Sequence, residues 1–161
     1  MTTYTFTLPT KPTIGNPVSK SLFGDLVIDD LDFLNHEIAE VHYELFVPTT
    51  DVTVGNGKKY DHIGLKMAGM NLVYVHAMVV TAGTTGLTSI QIYNVTDSVN
   101  MLSTVCSIDS GETGSHTAAT PYVIDTAHDD VAENDEIRID VTAVSTTAPK
   151  GLVLTLGWQR P

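Results

Sequence analysis

The sequence predicts an all-β protein, an antiparallel jelly-roll-like β-sandwich preceded by an extended N-terminal arm and one short α-helix. Three observations carry that expectation. Eight short runs rich in Val, Ile, Leu, Tyr and Thr recur between residues 41 and 158, alternating or near-continuously apolar as strands are. Turn signals bearing Gly, Asn and Asp separate them. Only one stretch, ahead of all the strands, has a helical period. The expected divisions are an arm over residues 1–21, a helix over 22–40 and a sandwich over 41–161.

In the arm, Tyr4, Phe6 and Leu8 alternate with Thr3, Thr5 and Thr7. Pro9, Pro12 and Pro17 then exclude both a helix and a central strand. A segment this short cannot bury its aromatics by itself. Unless it is a frayed end, it docks on its own domain, a sister subunit or another protein, for instance by adding a strand to an exposed edge. Tyr4, Phe6, Leu8, Pro9 and Pro12 would be its contact residues.

From Leu22 the period changes. Val27, Leu31, Leu34, Ile38 and Val41 are spaced four, three, four and three, one apolar seam on a helix. Asp25, Asp29, Asp30 and Asp32 lie toward its N-terminal half, where carboxylates suit the helix dipole. The seam is too short for a free-standing coiled coil. It suits either a helix packed on its own sandwich or a short bundle about an oligomer axis, with Val27, Leu31, Leu34 and Ile38 as the contact.

The strand-like runs are 42–47, 63–67, 72–80, 87–93, 101–108, 122–124, 137–144 and 152–158. Residues 72–93 read as their centre, two runs flanking the turn-like 81–86 in the manner of a β-hairpin. In the first of the two, Val73, Val75, Ala77 and Val79 alternate with Leu72, Tyr74, His76, Met78 and Val80. Both sets are largely apolar, which asks for cover on two faces, from the fold or from a neighbouring subunit. The second reads as half-buried. The last run, Leu152 to Trp158, is cleanly apolar and expected at the centre of a sheet.

At 161 residues the chain is expected to form one domain. That size buries roughly 70% of the unfolded surface, enough for a core without disulfide or metal. Net charge is −11, and no Lys/Arg cluster exists to neutralise phosphates, which argues against nucleic acid or an anionic membrane as partner. Cys106 is the single cysteine, so neither an internal disulfide nor a thiolate metal cluster is expected, and a buried inert thiol is. The first residues carry no charged-then-apolar secretion pattern, and no apolar run approaches a membrane span.

Catalytic and metal motifs are thin. In His36-Glu37-Ile38-Ala39-Glu40-Val41-His42 the second His stands six residues after the first, about 600° around a helix. A zinc-protease helix needs it four residues on. No nucleophile elbow is present, and Gly55-Asn56-Gly57-Lys58 lacks the length of a phosphate loop. Asp125, Asp129, Asp130, Glu133, Asp135 and Glu136 could hold a cation, but their spacing departs from the EF-hand loop; a solvated acidic loop is the plainer expectation. Asn94-Val95-Thr96 is a sequon by pattern only. No metal, cofactor or catalytic residue is assigned, and the expectation is a non-enzyme.

As a set, the stretches 81–104, 108–120, 123–141 and 148–158 resemble a β-sandwich module of structural proteins in tailed-phage virions, found in head decoration proteins, head fibres and tail or baseplate fibres. The shared features are an Ala-Gly-Thr turn at Ala82, the Met101-Leu102-Ser103-Thr104 strand and an Asn134-Asp135-Glu136 turn before Ile137-Arg138-Ile139-Asp140-Val141. A closing Gly151-Leu152-Val153 strand completes them. The likeness covers about residues 41–158, and the N-terminal part similarly resembles the lead-in of phage fibre and spike proteins. The resemblance implies a virion component assembled in the host cytoplasm, three-fold symmetry, a capsid or other virion protein as partner, and no catalytic residues. A capsid decoration or head-fibre role is expected ahead of a tail location. The alternatives are a carbohydrate- or receptor-binding module and, last, a hydrolase using a pair such as Asp125 and Asp140. The binding module would use loops 81–86 and 111–120 to bind a host-surface glycan, with Thr84, Thr85, Glu112 and His116 on its rim.

Overall fold

The computed structural model describes residues 38–161. They form an all-β domain of antiparallel strands: β1 (Ala39–Asp51), β2 (Gly55–His62), β3 (Asn71–Thr81), β4 (Thr88–Asn94), β5 (Val99–Asn100), β6 (Leu102–Thr104), β7 (Cys106–Ile108), β8 (Val123–Ile124), β9 (Glu136–Ala143) and β10 (Lys150–Gln159). A single turn of 3-10 helix lies at Ser115–Thr117. The arm residues Tyr4, Phe6, Leu8, Pro9 and Pro12 and the seam residues Val27, Leu31 and Leu34 lie outside the described residues.

One sheet has the order β1-β10-β3 and the other β2-β9-β4-β5, with β7 also paired to β4; β6 and β8 make a small third ladder. The connections from β1 to β2, β3 to β4 and β9 to β10 all pass from one main sheet to the other. The buried faces of both sheets contribute to one core, consistent with a β-sandwich. Leu152, Leu154, Leu156 and Trp158 of β10 and Leu72, Val75, Ala77 and Val79 of β3 line one side. Ile90 and Ile92 of β4 and Ile137, Ile139 and Val141 of β9 line the other. Each fully buried aliphatic side chain stabilises the fold by about 1.5–3 kcal/mol before entropy costs.

The expectation that the last run is central holds: β10 is hydrogen-bonded to β1 on one edge and β3 on the other. Four other expectations are corrected. Residues 72–93 are not a hairpin, because β3 and β4 belong to different sheets. Their two inner faces are both apolar, and both are buried by lying on opposite sides of one core. The hairpin is β4–β5, with Ser98 at φ 60 in its turn. Asn94 braces that turn: its amide nitrogen donates to Asp97 (3.0 Å) and Asp135 (3.1 Å), and Asp97 N donates back to its oxygen (3.2 Å). The sequon asparagine is therefore a buried brace.

The run 63–67 is a turn rather than a strand. The strand in its place is β2, whose Gly-Asn-Gly-Lys-Lys opening has no apolar period and reads as a turn. The run 101–108 is broken into β6 and β7. The Gln91 side chain links β4 to β6, donating to Leu102 O (3.0 Å) and accepting from Ile92 N (2.9 Å). At the N-terminal boundary, β1 begins at Ala39, so Ala39 and Glu40 are strand rather than the end of a helix, and Ile38 precedes the strand without helical structure. Pairing of Ala39 and Glu40 with Trp158 and Gly157 decides this locally.

A bulge sets which face of β3 is wet. The register slips by one residue opposite Gly157/Trp158, so Leu72 joins Val75, Ala77 and Val79 on the buried face, and Val73 is turned out. Cys106 is buried, and burial pushes its thiol up, as suits an unreactive core residue. Leu154 sits fully buried in the central strand. Leu154→Ala should therefore lower the unfolding free energy by about 2–5 kcal/mol with an unchanged urea m-value.

Candidate functional site

Two surfaces qualify, and they meet along one flank of β3. The first is the outer face of the β1-β10-β3 sheet. Strand alternation places Glu40, His42 and Glu44 of β1 opposite Gly157, Thr155 and Val153 of β10, and these opposite Tyr74, His76 and Met78 of β3. Tyr74, Met78 and Val80 are exposed, Met78 and Val80 by about half. This is the two-sided apolarity anticipated for β3: one face is core, and the other is left bare by the described residues. An apolar surface of this kind on a strand face marks a binding region more often than a stray exposed residue does.

Two glycines shape this face. At Gly151 (φ 63) a Cβ would lie 2.8 Å from Pro48 Cα and 2.9 Å from Val80 Cγ2. At Gly157 it would lie 2.8 Å from Tyr74 Cβ and 2.9 Å from Ile38 Cγ2. Ile38, the one seam residue among those described, is half exposed and leans over Gly157 beside Tyr74.

The second surface is the loop rim. Gly111 N donates to Gly83 O (2.8 Å), Thr85 N to Ser110 Oγ (2.9 Å), and Thr84 exchanges main-chain bonds with Thr147 (3.1 Å each way). Loops 81–86, 109–120 and 145–147 are thus one cluster, and Thr84 and Thr85 do come together on it, both exposed. Thr85 is held at φ 63, a costly conformation for a β-branched residue. Glu112 accepts from the Thr117 hydroxyl rather than facing Thr84. His116 turns to the other flank, its ring 5.6 Å from that of His76.

The His76 ring forms the junction. Its Nδ1 is 3.2 Å from Tyr74 Oη, and its Nε2 is buried with no hydrogen-bond partner. Burial first, and the nearby His116 second, hold its pKa below the ordinary histidine value. On the far side of Thr155, His42 Nδ1 meets the Thr155 hydroxyl at 2.9 Å.

The acidic groups are committed elsewhere. Asp125 pairs with His128 (2.9 Å), whose hydrogen bond holds its carboxyl below the usual range. Asp129, pushed up by burial, accepts from Asn71 (3.1 Å). Asp135 accepts from Asn94 and from Ala132 N (2.8 Å). Asp140 is clamped by Arg138 through two nitrogens and by Gly57 N (2.7 Å), and Arg138 stacks on Tyr93 at 4.4 Å. Tyr43 donates to Asp61, and burial raises its phenol. Among the described residues no three His, Cys, Asp or Glu side chains converge as a metal cluster.

Sequence reasoning had no signal for the Tyr74–His76–His116 grouping. It depends on the segment around Gly114 bridging to Met78 across a separation that no local period encodes. No family model, curated protein or solved structure gives a significant match to this chain. Among the described residues no helix is long and apolar enough to cross a membrane.

Two measurements check this surface. Because the folded pKa of His76 is lowered, the unfolded state binds the proton more readily, so its contribution to stability is present above pH 6.5 and is lost as pH falls below it. Urea stability should drop from pH 7.5 to 5.5, and His76→Gln should flatten the drop. A Met78→Lys, Val80→Lys double change should leave stability within about 0.5 kcal/mol per site while abolishing binding of a hydrophobic dye to the native protein.

Proposed function

We propose that this chain is a non-enzymatic structural component of a tailed-phage virion, a capsid decoration or head-fibre protein that holds the particle through its N-terminal region. The observation that supports it best is the row of apolar side chains, Tyr74, Met78 and Val80, that β3 leaves exposed among the described residues. A sandwich that exposes such a row on one sheet suits a unit built into a larger lattice. The resemblance of stretches 81–104, 108–120, 123–141 and 148–158 to virion sandwich modules points the same way.

The finer fold reading is a jelly roll behind a short helix. It is supported by the order β1-β10-β3, extended past β3 by the Gly114 bridge, against β2-β9-β4-β5. Such an order is what the interleaved pairing of two nested Greek keys would give. Of the helix expected over 22–40, the part ahead of Ile38 with Val27, Leu31 and Leu34 belongs to the proposal, with the homotrimer it would hold together. The protein would reside in the virion after assembly in the host cytoplasm.

Deleting residues 2–12 tests the reading alongside Tyr4→Ala plus Phe6→Ala. Both variants should keep the folded sandwich yet fail to enter particles, scored by antibody labelling of purified virions. Normal incorporation of both would refute anchoring by the arm, and absence of the intact chain from any particle would refute the virion role. Sedimentation should give a trimer, and a stable monomer at micromolar concentration would remove that part.

A second reading, a tail-located or carbohydrate-binding module, is favoured by one observation: the fused rim exposing Thr84, Thr85, Ser110, Thr146 and Thr147. A competable glycan-array signal lost on changing Thr85 and Ser110 would promote it.

A further inference from the structure

The pairing of His76 with His116 has a chemistry that the virion reading does not use. A main-chain bridge and a side-chain hydrogen bond fix the segment bearing His116 along the edge of β3. Gly114 bridges to Met78, Val79 N donates to Thr113 O (2.9 Å), and Ala77 N donates to Ser115 Oγ (3.0 Å). The two rings are thereby set 5.6 Å apart at 68°. Between them stands a glycine. A Cβ built on Gly114 would fall 2.6 Å from His116 Nδ1 and 3.5 Å from His76 Nε2. Both nitrogens therefore border Gly114, an approach that a side chain at position 114 would block.

The protonation pattern suits a ligand there. Tyr74 Oη lies 3.2 Å from His76 Nδ1. If Nδ1 carries the proton and donates to the phenol, Nε2 presents a bare lone pair. Nε2 is buried without a partner. An unpaired buried N–H is the rarer and costlier alternative to an unpaired buried acceptor. A histidine whose second nitrogen is held by an outer hydrogen bond is the usual form of a metal-binding imidazole.

We propose that His76 Nε2 and His116 Nδ1 form a two-histidine site for a transition-metal dication such as Zn2+, Ni2+ or Cu2+, with water completing the coordination shell. Imidazole nitrogens select these ions over Ca2+ or Mg2+, which take oxygen. With no third such protein ligand converging among the described residues, the site is a weak, exchangeable one rather than a structural centre. It joins the Gly114 segment to β3, so occupancy would tie the loop rim to the sheet face.

The test is a Zn2+ titration of tag-free protein followed by histidine side-chain 1H–15N spectra. His76 Nε2 and His116 Nδ1 should shift together in one saturable step, while His36, His42, His62 and His128 stay in place. His76→Ala and His116→Ala should each weaken the apparent affinity at least tenfold, and Gly114→Ala should do the same by displacing the His116 ring. Tyr74→Phe should weaken it by about tenfold, and His42→Ala should leave it unchanged. Amide spectra report whether each variant is folded; if Gly114→Ala is not, the two histidine variants decide alone. Shifts spread over all the histidines would overturn the site, as would movement of only one of the pair. So would no saturable shift with Zn2+, Ni2+ and Cu2+ in turn, or an affinity unchanged in His76→Ala.

Discussion

Everything in the described domain depends on the inner row of the last strand. Leu152, Leu154, Leu156 and Trp158 are buried to 1% exposure or less, between β1 and β3 and against the Ile-rich faces of β4 and β9. Because β10 is central, the three-stranded sheet needs residues from both ends of the described chain before any of it closes. Folding is therefore governed by non-local pairing, which carries a large loop-closure cost and makes such sandwiches slow folders. Gly157, beside Trp158, shows how tight the arrangement is, since a single methyl there would meet both Tyr74 and Ile38.

Among the described residues the acidic side chains are held in separate places and share no common site. Asp135 and Asp97 are spent on bracing the β4–β5 hairpin through Asn94, Asp140 on holding Arg138 against Tyr93, and Asp51 on an exposed pair with Lys150 (2.7 Å). A buried carboxylate such as Asp140 would be costly alone; the bidentate guanidinium and the Gly57 N–H are what make it tolerable. Of the two carboxylates a hydrolase reading would use, Asp125 is bonded to His128 and Asp140 to Arg138.

What is left over after the core and the charges are satisfied is concentrated on one side. The outer face of the β1-β10-β3 sheet keeps Tyr74, Met78 and Val80 in water, and the rim loops run onto its edge at Gly114. The same bridge that extends the sheet past β3 brings His116 to His76. The histidine pair is thus a consequence of the docking of the 113–115 segment on β3.

The sequence by itself determined the class of the domain and most of its strands. Alternation in β3, β4, β9 and β10 is a local property of side chains that must face one core, and it needs no partner to be read. The turn residues gave the strand ends, and the apolarity of 152–158 gave its central place. The boundary at Ala39 was missed by two residues, because the helical spacing that includes Ile38 and Val41 continues into a strand fixed only by pairing with β10. β2 was missed because an edge strand opening on Gly-Asn-Gly-Lys-Lys has little apolar period. Only the tertiary structure decided that β3 and β4 lie in opposite sheets, since two apolar runs joined by a Gly-rich turn look the same whether they pair side by side or face each other across a core. Thr84 and Thr85 were legible as rim residues because loops at one end of a sandwich must cluster. The meeting of His76 with His116 was not, because it arises from a bridge between residues 78 and 114 that no spacing in the chain foretells.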